Sequence, residues 1–294
     1  MREWYELKFT LEFRTRFGTS FQDFFTDIME RGYPTDFQKV KPYGSKGDLK
    51  CDGYHQSLKR VYQVYAPEKM SVGETNSKID EDFSGAVGHW KKDLENWVFV
   101  HNQWRGIPGE VLQKLLAING SNGVTILRWS EIEVKGEFFK LAPEAQSFLL
   151  GPAPTPQTVS QVQMKDVVAV VNVVAQQDAP PPEEVQQVPS GKLRANGLSQ
   201  SVESLLTTGS RKAKLVKDFF SRWHDPELGD RIAKSFRSKY EALRDGGTLS
   251  DEAFFELWKF AGGGSQKSVE HEAAVLALLA FLFEECDIFE APRS

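Results

Sequence analysis

Gly47-Asp48-Leu49-Lys50-Cys51-Asp52-Gly53-Tyr54, closely followed by Arg60-Val61-Tyr62-Gln63-Val64-Tyr65-Ala66-Pro67-Glu68, is the stretch on which the reading of this chain turns. The first piece is acidic and bounded by glycines. The second is aromatic and β-branched, a composition that suits a strand. Together they predict a hairpin with Asp52 on one strand and Gln63 on its neighbour. A sheet then holds a carboxylate and a side-chain amide side by side. Asp52, Asp48 and the neutral oxygen of Gln63 form a hard-oxygen set suited to Mg2+ or Mn2+. Such an ion polarises a phosphate and activates a water. The plainer alternative is that Asp-Gly marks a turn and that both aspartates are solvated turn residues. Two aspartates and three glycines (Gly44, Gly47 and Gly53) agreeing just before a β-run favour the site.

Outward from this stretch, the patterning is that of an α/β layer. Residues 1–17 alternate apolar and polar and predict an extended or short helical lead-in. Gly18-Thr19-Ser20 then supplies a helix start, and Phe21, Phe24, Phe25 and Ile28 recur at helical spacing as a buried face that stops near Gly32. Gln22 and Asp23 lie on this helix and are expected to be exposed. A helix over about 77–95 puts Ile79, Phe83, Val87 and Trp90 toward a core. Residues 97–102 form a strand, 108–117 a helix begun by Pro108, and 123–129 another strand. Hairpin, helix, strand, helix, strand is the order of a mixed sheet with flanking helices.

The length, 294 residues, favours two domains. The boundaries predicted are 1–151 for the α/β domain, 152–191 for a linker and 192–294 for an all-helical domain. The linker opens with Gly151-Pro152-Ala153-Pro154 and carries Pro180-Pro181-Pro182, an extended spacer. Between them, residues 164–174 are rich in valine, a composition that favours a strand but also permits a short helix. That segment is expected to dock on the first domain or on another chain. Beyond it, residues 199–206, 211–223, 228–243, 250–260 and 269–285 show helical periodicity, and the last is apolar enough to be the core of a bundle.

Net charge is −5, so the chain has no global basic field. Nucleic-acid binding would need a local patch or a cation; Lys46, Lys59, Lys78, Lys91 and Lys92 are the candidates, against the plainer reading of solvated lysines. Two widely separated cysteines, Cys51 and Cys286, argue for a reducing cytoplasm and against a zinc module. The N-terminus is too charged for a signal peptide, and no apolar run reaches the ~20 residues of a membrane span. No Gly-Lys-Ser/Thr loop is present, so ATP hydrolysis by this chain is not expected.

Gly47-Asp48 leading to Asp52-Gly53, then a hairpin and Gln63-x-Tyr65, resembles the core of Mrr-type restriction endonucleases, of the PD-(D/E)XK nuclease superfamily. The resemblance covers about twenty residues. It implies a restriction-endonuclease-like fold and metal-dependent cleavage of DNA, with Asp52 as the metal-binding aspartate and Gln63 as the second ligand. The helix before the site offers an acidic residue in that pattern, and Gln22 and Asp23 stand there. Tyr65 departs from the pattern, because the family has a lysine at this place and a phenol supplies no cation. Lys50 or Lys59 is then the substitute. Lys50 is preferred, since on a regular strand it shares a face with Asp52. The alternative is a protein that binds nucleic acid or adapts partners without cutting. At the other end of the chain, Glu284-Glu285-Cys286-Asp287-Ile288-Phe289-Glu290 resembles the C-terminal domains of ABC-three-component defence systems. That resemblance implies an antiphage effector coupled to an ABC/SMC-type ATPase and a small middle component. Self-association into a homodimer is left open.

Overall fold

The computed structural model describes residues 2–41, 47–175, 196–264, 268–285 and 288–289. They fall into two compact units, 12–149 and a second that combines 1–11 with 150–294.

In the first unit the hairpin forms as expected and sits in a five-stranded sheet of order β1-β2-β3-β4-β5. The strands are β1 (Phe37–Lys39), β2 (Gly53–His55), β3 (Arg60–Tyr65), β4 (Asn96–His101) and β5 (Thr125–Trp129). β1, β2 and β3 form an antiparallel meander, and β4 and β5 continue it in parallel with β3. Each parallel connection carries a helix: α3 (Val72–Trp90) before β4 and α4 (Gly109–Ile118) before β5. The register sets the faces. Val61, Gln63 and Tyr65 lie beside Trp97, Phe99 and His101, and Ile126 and Arg128 continue the rows on β5. This face packs on Ile79, Phe83 and Ala86 of α3 and on Val111 and Leu115 of α4. The opposite face meets α2 (Gly18–Gly32), whose Phe25 touches Tyr62 and Trp129. Phe21, Phe24, Phe25 and Ile28 are all buried, as their spacing predicts. Two further helices, α5 (Glu131–Phe138) and α6 (Pro143–Leu150), follow the sheet; sequence reading left them out because each spans only about two turns.

Gly53 is not a turn residue. A Cβ there would lie 2.2 Å from Cζ of Phe37, so the strand needs glycine to let the neighbouring ring lie across it. The turn is formed upstream, where Gly47, Leu49 and Lys50 have positive φ.

Two expectations are corrected, and one left open between strand and helix is decided. The lead-in is a full helix, α1 (Arg2–Thr15), with Trp4, Tyr5 and Phe9 buried. Its first residues belong with the helical unit, where Trp4 meets Trp258 edge-on at 5.4 Å. The valine segment is also a helix, α8 (Met164–Ala175). Val167, Val170, Val171 and Val174 fall at i, i+3, i+4 and i+7, and all four are buried. They pack within the helical unit rather than on the α/β unit, so that unit begins at Leu150 and not at 192. The remainder of the expected linker, 176–191, lies outside the described residues.

The helices of this second unit continue with α7 (Pro156–Ser160), then α9 (Gln200–Ser210), α10 (Ala213–Arg222), α11 (Leu228–Asp245), α12 (Ser250–Phe260) and α13 (Val269–Glu284). α13 is the hub, buried from Glu272 through Ala280. α7, α8, α9, α10 and α12 all pack on it. Gly209 allows α9 to approach closely, since a Cβ there would sit 2.5 Å from the Leu276 carbonyl oxygen. Among the described residues, no helix is long and apolar enough to cross a membrane.

Candidate functional site

Asp52 stands one residue before β2, across the hairpin from Gln63 of β3, at the end of the sheet where the parallel strands finish. Sites in open α/β sheets collect at such carboxyl ends. The Asp52 carboxylate is 5 % exposed. Its Oδ2 accepts from Gln63 Nε2 at 3.0 Å and from the Val64 backbone N–H at 2.7 Å. Its Oδ1 accepts from Gln22 Nε2 at 2.7 Å. The predicted convergence of Asp52 with Gln63 is therefore present, and Gln22, expected to be exposed, joins it from α2. Asp23 instead takes Lys39.

Three amide donors surround this carboxylate, and no cation pairs directly with it among the described residues. Burial is the main cause that pushes Asp52 from its ordinary value of 3.8 up to about 7. The negative charges of Asp48 and Asp82 push the same way, while the Val64 N–H and the Lys78 charge oppose them. Gln63 turns its amino group to Asp52, which leaves its Oε1 buried without a hydrogen-bond partner. A buried acceptor without a donor is uncommon and marks a place where an ion or water belongs. Asp48, half-buried, is held in its turn by the Lys50 backbone N–H at 2.9 Å.

Asp82 is the acidic residue that sequence reading missed. It is 1 % exposed on α3. Oδ1 takes Lys78 Nζ at 2.9 Å and Lys50 Nζ at 3.3 Å, and Oδ2 is buried without a partner. Its position four residues after Lys78, in phase with Ile79 and Ala86, was the signal available.

Among the described residues, the candidate lysines do not form one patch. Lys50 has φ +58°, so strand alternation does not reach it and the period-two argument for its direction fails. Its side chain lies over Gly85 of α3 and pairs with Glu81 and Asp82. Lys78 sits nearest the site in effect, since its charge acts on Asp52. Lys59 pairs with Glu95 at 2.7 Å, at the start of β3, the opposite end of that strand from Tyr65. Lys91 and Lys92 are exposed just after α3, next to the start of β4. Lys46 lies outside the described residues. Tyr65 is half-buried and packs its ring on Phe99 at 6.2 Å. Cys51 is fully buried, its thiol pushed up mainly by that burial, while Cys286 lies outside the described residues.

Among the described residues, no group of three His, Cys, Asp or Glu side chains is placed to hold a metal ion. The oxygen set at the site is one buried carboxylate and one amide oxygen. Mg2+ is commonly held by one or two carboxylates, with phosphate and water completing its shell, and the free Oε1 of Gln63 fits that use.

No curated protein and no solved structure matches the chain. Residues 165–290 match the family described as C-terminal domain 10 of the ABC-three component (ABC-3C) systems. The matched residues begin in α8, the helix that packs on α13. The C-terminal part of this chain is thus similar to a C-terminal domain of ABC-3C systems.

Proposed function

We propose that the chain is the effector of an ABC-3C antiphage defence system, with a PD-(D/E)XK-type nuclease-like unit at residues 12–149 and a helical unit that docks its partner components. One observation carries the reading of the first unit: Asp52 before β2, Gln63 on β3 and Gln22 on the preceding helix meet around one carboxylate at the carboxyl end of a mixed sheet. The antiparallel meander followed by helix and parallel strand supports it further, as does the sequence resemblance around Asp52-Gly53. In this reading Asp52 and Gln63 Oε1 hold Mg2+ or Mn2+, with Asp48 at the rim. A bound Mg2+ would neutralise phosphate charge and lower the pKa of its water. The Gln22 amide orients the Asp52 carboxylate, and burial keeps that carboxylate poorly solvated. Lys78 supplies the positive charge that Tyr65 lacks, steadied by Asp82.

The test is cleavage of plasmid DNA by the full chain with Mg2+ or Mn2+, alone and with the ATPase and middle component. Cleavage that disappears in Asp52→Ala supports the reading; cleavage that persists in that variant refutes the site.

A second reading rests on Tyr65 and on Lys50, which is tied to Glu81 and Asp82. Here the unit binds nucleic acid without cutting it. Oligonucleotide binding without cleavage in the presence of all partners would select this reading.

A further inference from the structure

A cavity opens on the same face of the sheet as Gln63, at the ends of β4 and β5. It has a volume of about 320 Å3 and is lined by His101, Gln103, Trp104, Arg128, Ser130 and Glu133. That is at the small end of the range of ligand pockets. In the sheet register Gln63, Phe99 and Arg128 form one row, and Tyr65 and His101 begin the next. Arg128 is therefore two strands from Gln63, roughly 10 Å across the sheet.

The chemistry of the lining is directional. His101 is 5 % exposed, and its Nδ1 accepts from the Gln103 backbone N–H at 3.2 Å. That contact assigns the proton to Nε2, which has no hydrogen-bond partner among the described residues and is left as a donor. Burial lowers the His101 pKa to about 4, so the ring is neutral at physiological pH. Arg128 is exposed and has no carboxylate partner among the described residues. Arg105, likewise exposed and without a carboxylate partner, stacks its guanidinium on the Trp104 ring at 4.5 Å and adds a second positive charge beside the cavity. Arg14 also lies on Trp104, but Glu131 pairs with it at 2.9 Å. The one carboxylate in the lining, Glu133, is engaged by the Ser130 N–H at 2.8 Å and the Ser130 hydroxyl at 2.9 Å, in a capping box at the start of α5. Two arginines and an N–H donor on a largely buried ring thus outweigh one engaged acid.

We infer that this cavity binds a phosphate group, with Arg128 and Arg105 on its oxygens and His101 Nε2 donating to the ligand. Guanidinium groups suit phosphate because they offer paired, charge-assisted donors. The phosphate belongs either to a free nucleotide or to a nucleic-acid strand lying along the same face. The inference does not depend on a metal at Asp52.

The full chain is titrated by calorimetry with AMP and, separately, with a twelve-nucleotide single-stranded DNA. Arg128→Ala and Arg105→Ala are compared with wild type, and circular dichroism checks that each is folded. The expected result is saturable binding of at least one probe, weakened about tenfold or more by Arg128→Ala and weakened less by Arg105→Ala. Binding of AMP sensitive to Arg128 identifies a free nucleotide. Arg128-sensitive binding of the oligonucleotide alone identifies a unit of a strand. Absence of binding of both probes at millimolar concentration overturns the inference, and so does binding that Arg128→Ala leaves unchanged.

Discussion

Replacing Asp52 by asparagine should stabilise the metal-free protein above neutral pH and leave it unchanged in acid. The native carboxyl titrates at about 7 in place of its ordinary 3.8, with burial as the main cause. Between these two values the folded state holds a proton on Asp52 that the unfolded state has released. Stability contributed by this group therefore falls as pH rises from about 4 to about 7, because the folded state binds more protons there. The interval corresponds to a loss of order 4 kcal/mol once the carboxylate is fully ionised. Asp52→Asn removes the titration and keeps the shape. The new amide oxygen accepts from the Val64 N–H and Gln63 Nε2, and the new amino group faces Gln22, whose amide rotates to present its oxygen. Urea unfolding in EDTA, at steps from about pH 4 to about pH 8, compares the two proteins. The difference between them should be near zero at the acid end and grow to several kcal/mol in favour of the variant at the alkaline end. Adding Mg2+ should then stabilise wild type by mass action and leave the variant unmoved. Parallel pH profiles would refute the claim that Asp52 is an uncompensated buried acid. An Mg2+ response shared equally by both proteins would refute its role as a ligand.

The other predictions concern separate parts of the molecule. His101, lowered to about 4 by burial, has the opposite sign to Asp52. The unfolded state takes up its proton first, so stability from His101 is full above about pH 6.5 and is lost as pH falls toward about 4. In the Asp52→Asn background, His101→Gln should flatten the remaining acid slope in the same unfolding assay. In the cleavage assay Lys78→Ala should lower the rate more than about tenfold, or ~1.4 kcal/mol in the barrier, and Lys50→Ala should lower it less. A larger loss in Lys50→Ala would return the catalytic charge to Lys50. Gly209→Ala places a methyl group against the Leu276 carbonyl and should destabilise the helical unit by about 1–3 kcal/mol, read as a lower urea midpoint; an unchanged midpoint would show that α9 and α13 can separate freely.

Local periodicity made much of this architecture legible. The buried face of α2 follows from apolar residues at helical spacing, the burial of α13 from its nearly continuous apolar run, and the faces of β3 and β4 from β-branched and aromatic runs. Each pattern is contained in one element, where the backbone repeat alone decides which side chains share a side. The pairing of Asp52 with Gln63 was legible for the same reason, since a hairpin joins neighbouring strands by a short turn. The direction of Lys50 was not: two successive left-handed residues, Leu49 and Lys50, turn it toward α3 before the strand begins. Nor could sequence decide between strand and helix for Val167 to Val174, because valine composition favours one and valine spacing the other; packing on α13 decides it.

What the sequence by itself determined is the succession of hairpin, helix, strand, helix and strand around the site, the two kinds of unit and the first two members of the candidate site. Only the tertiary structure decided that Gln22 reaches Asp52, that Asp82 is a buried acid shared by two lysines, and that His101 and Arg128 line one cavity. The physical reason is distance along the chain. Gln22 is 30 residues from Asp52, and His101 and Arg128 come from strands joined by a whole helix. Parallel register and the burial of a charge are set by packing between elements, and no repeat within a single element records them.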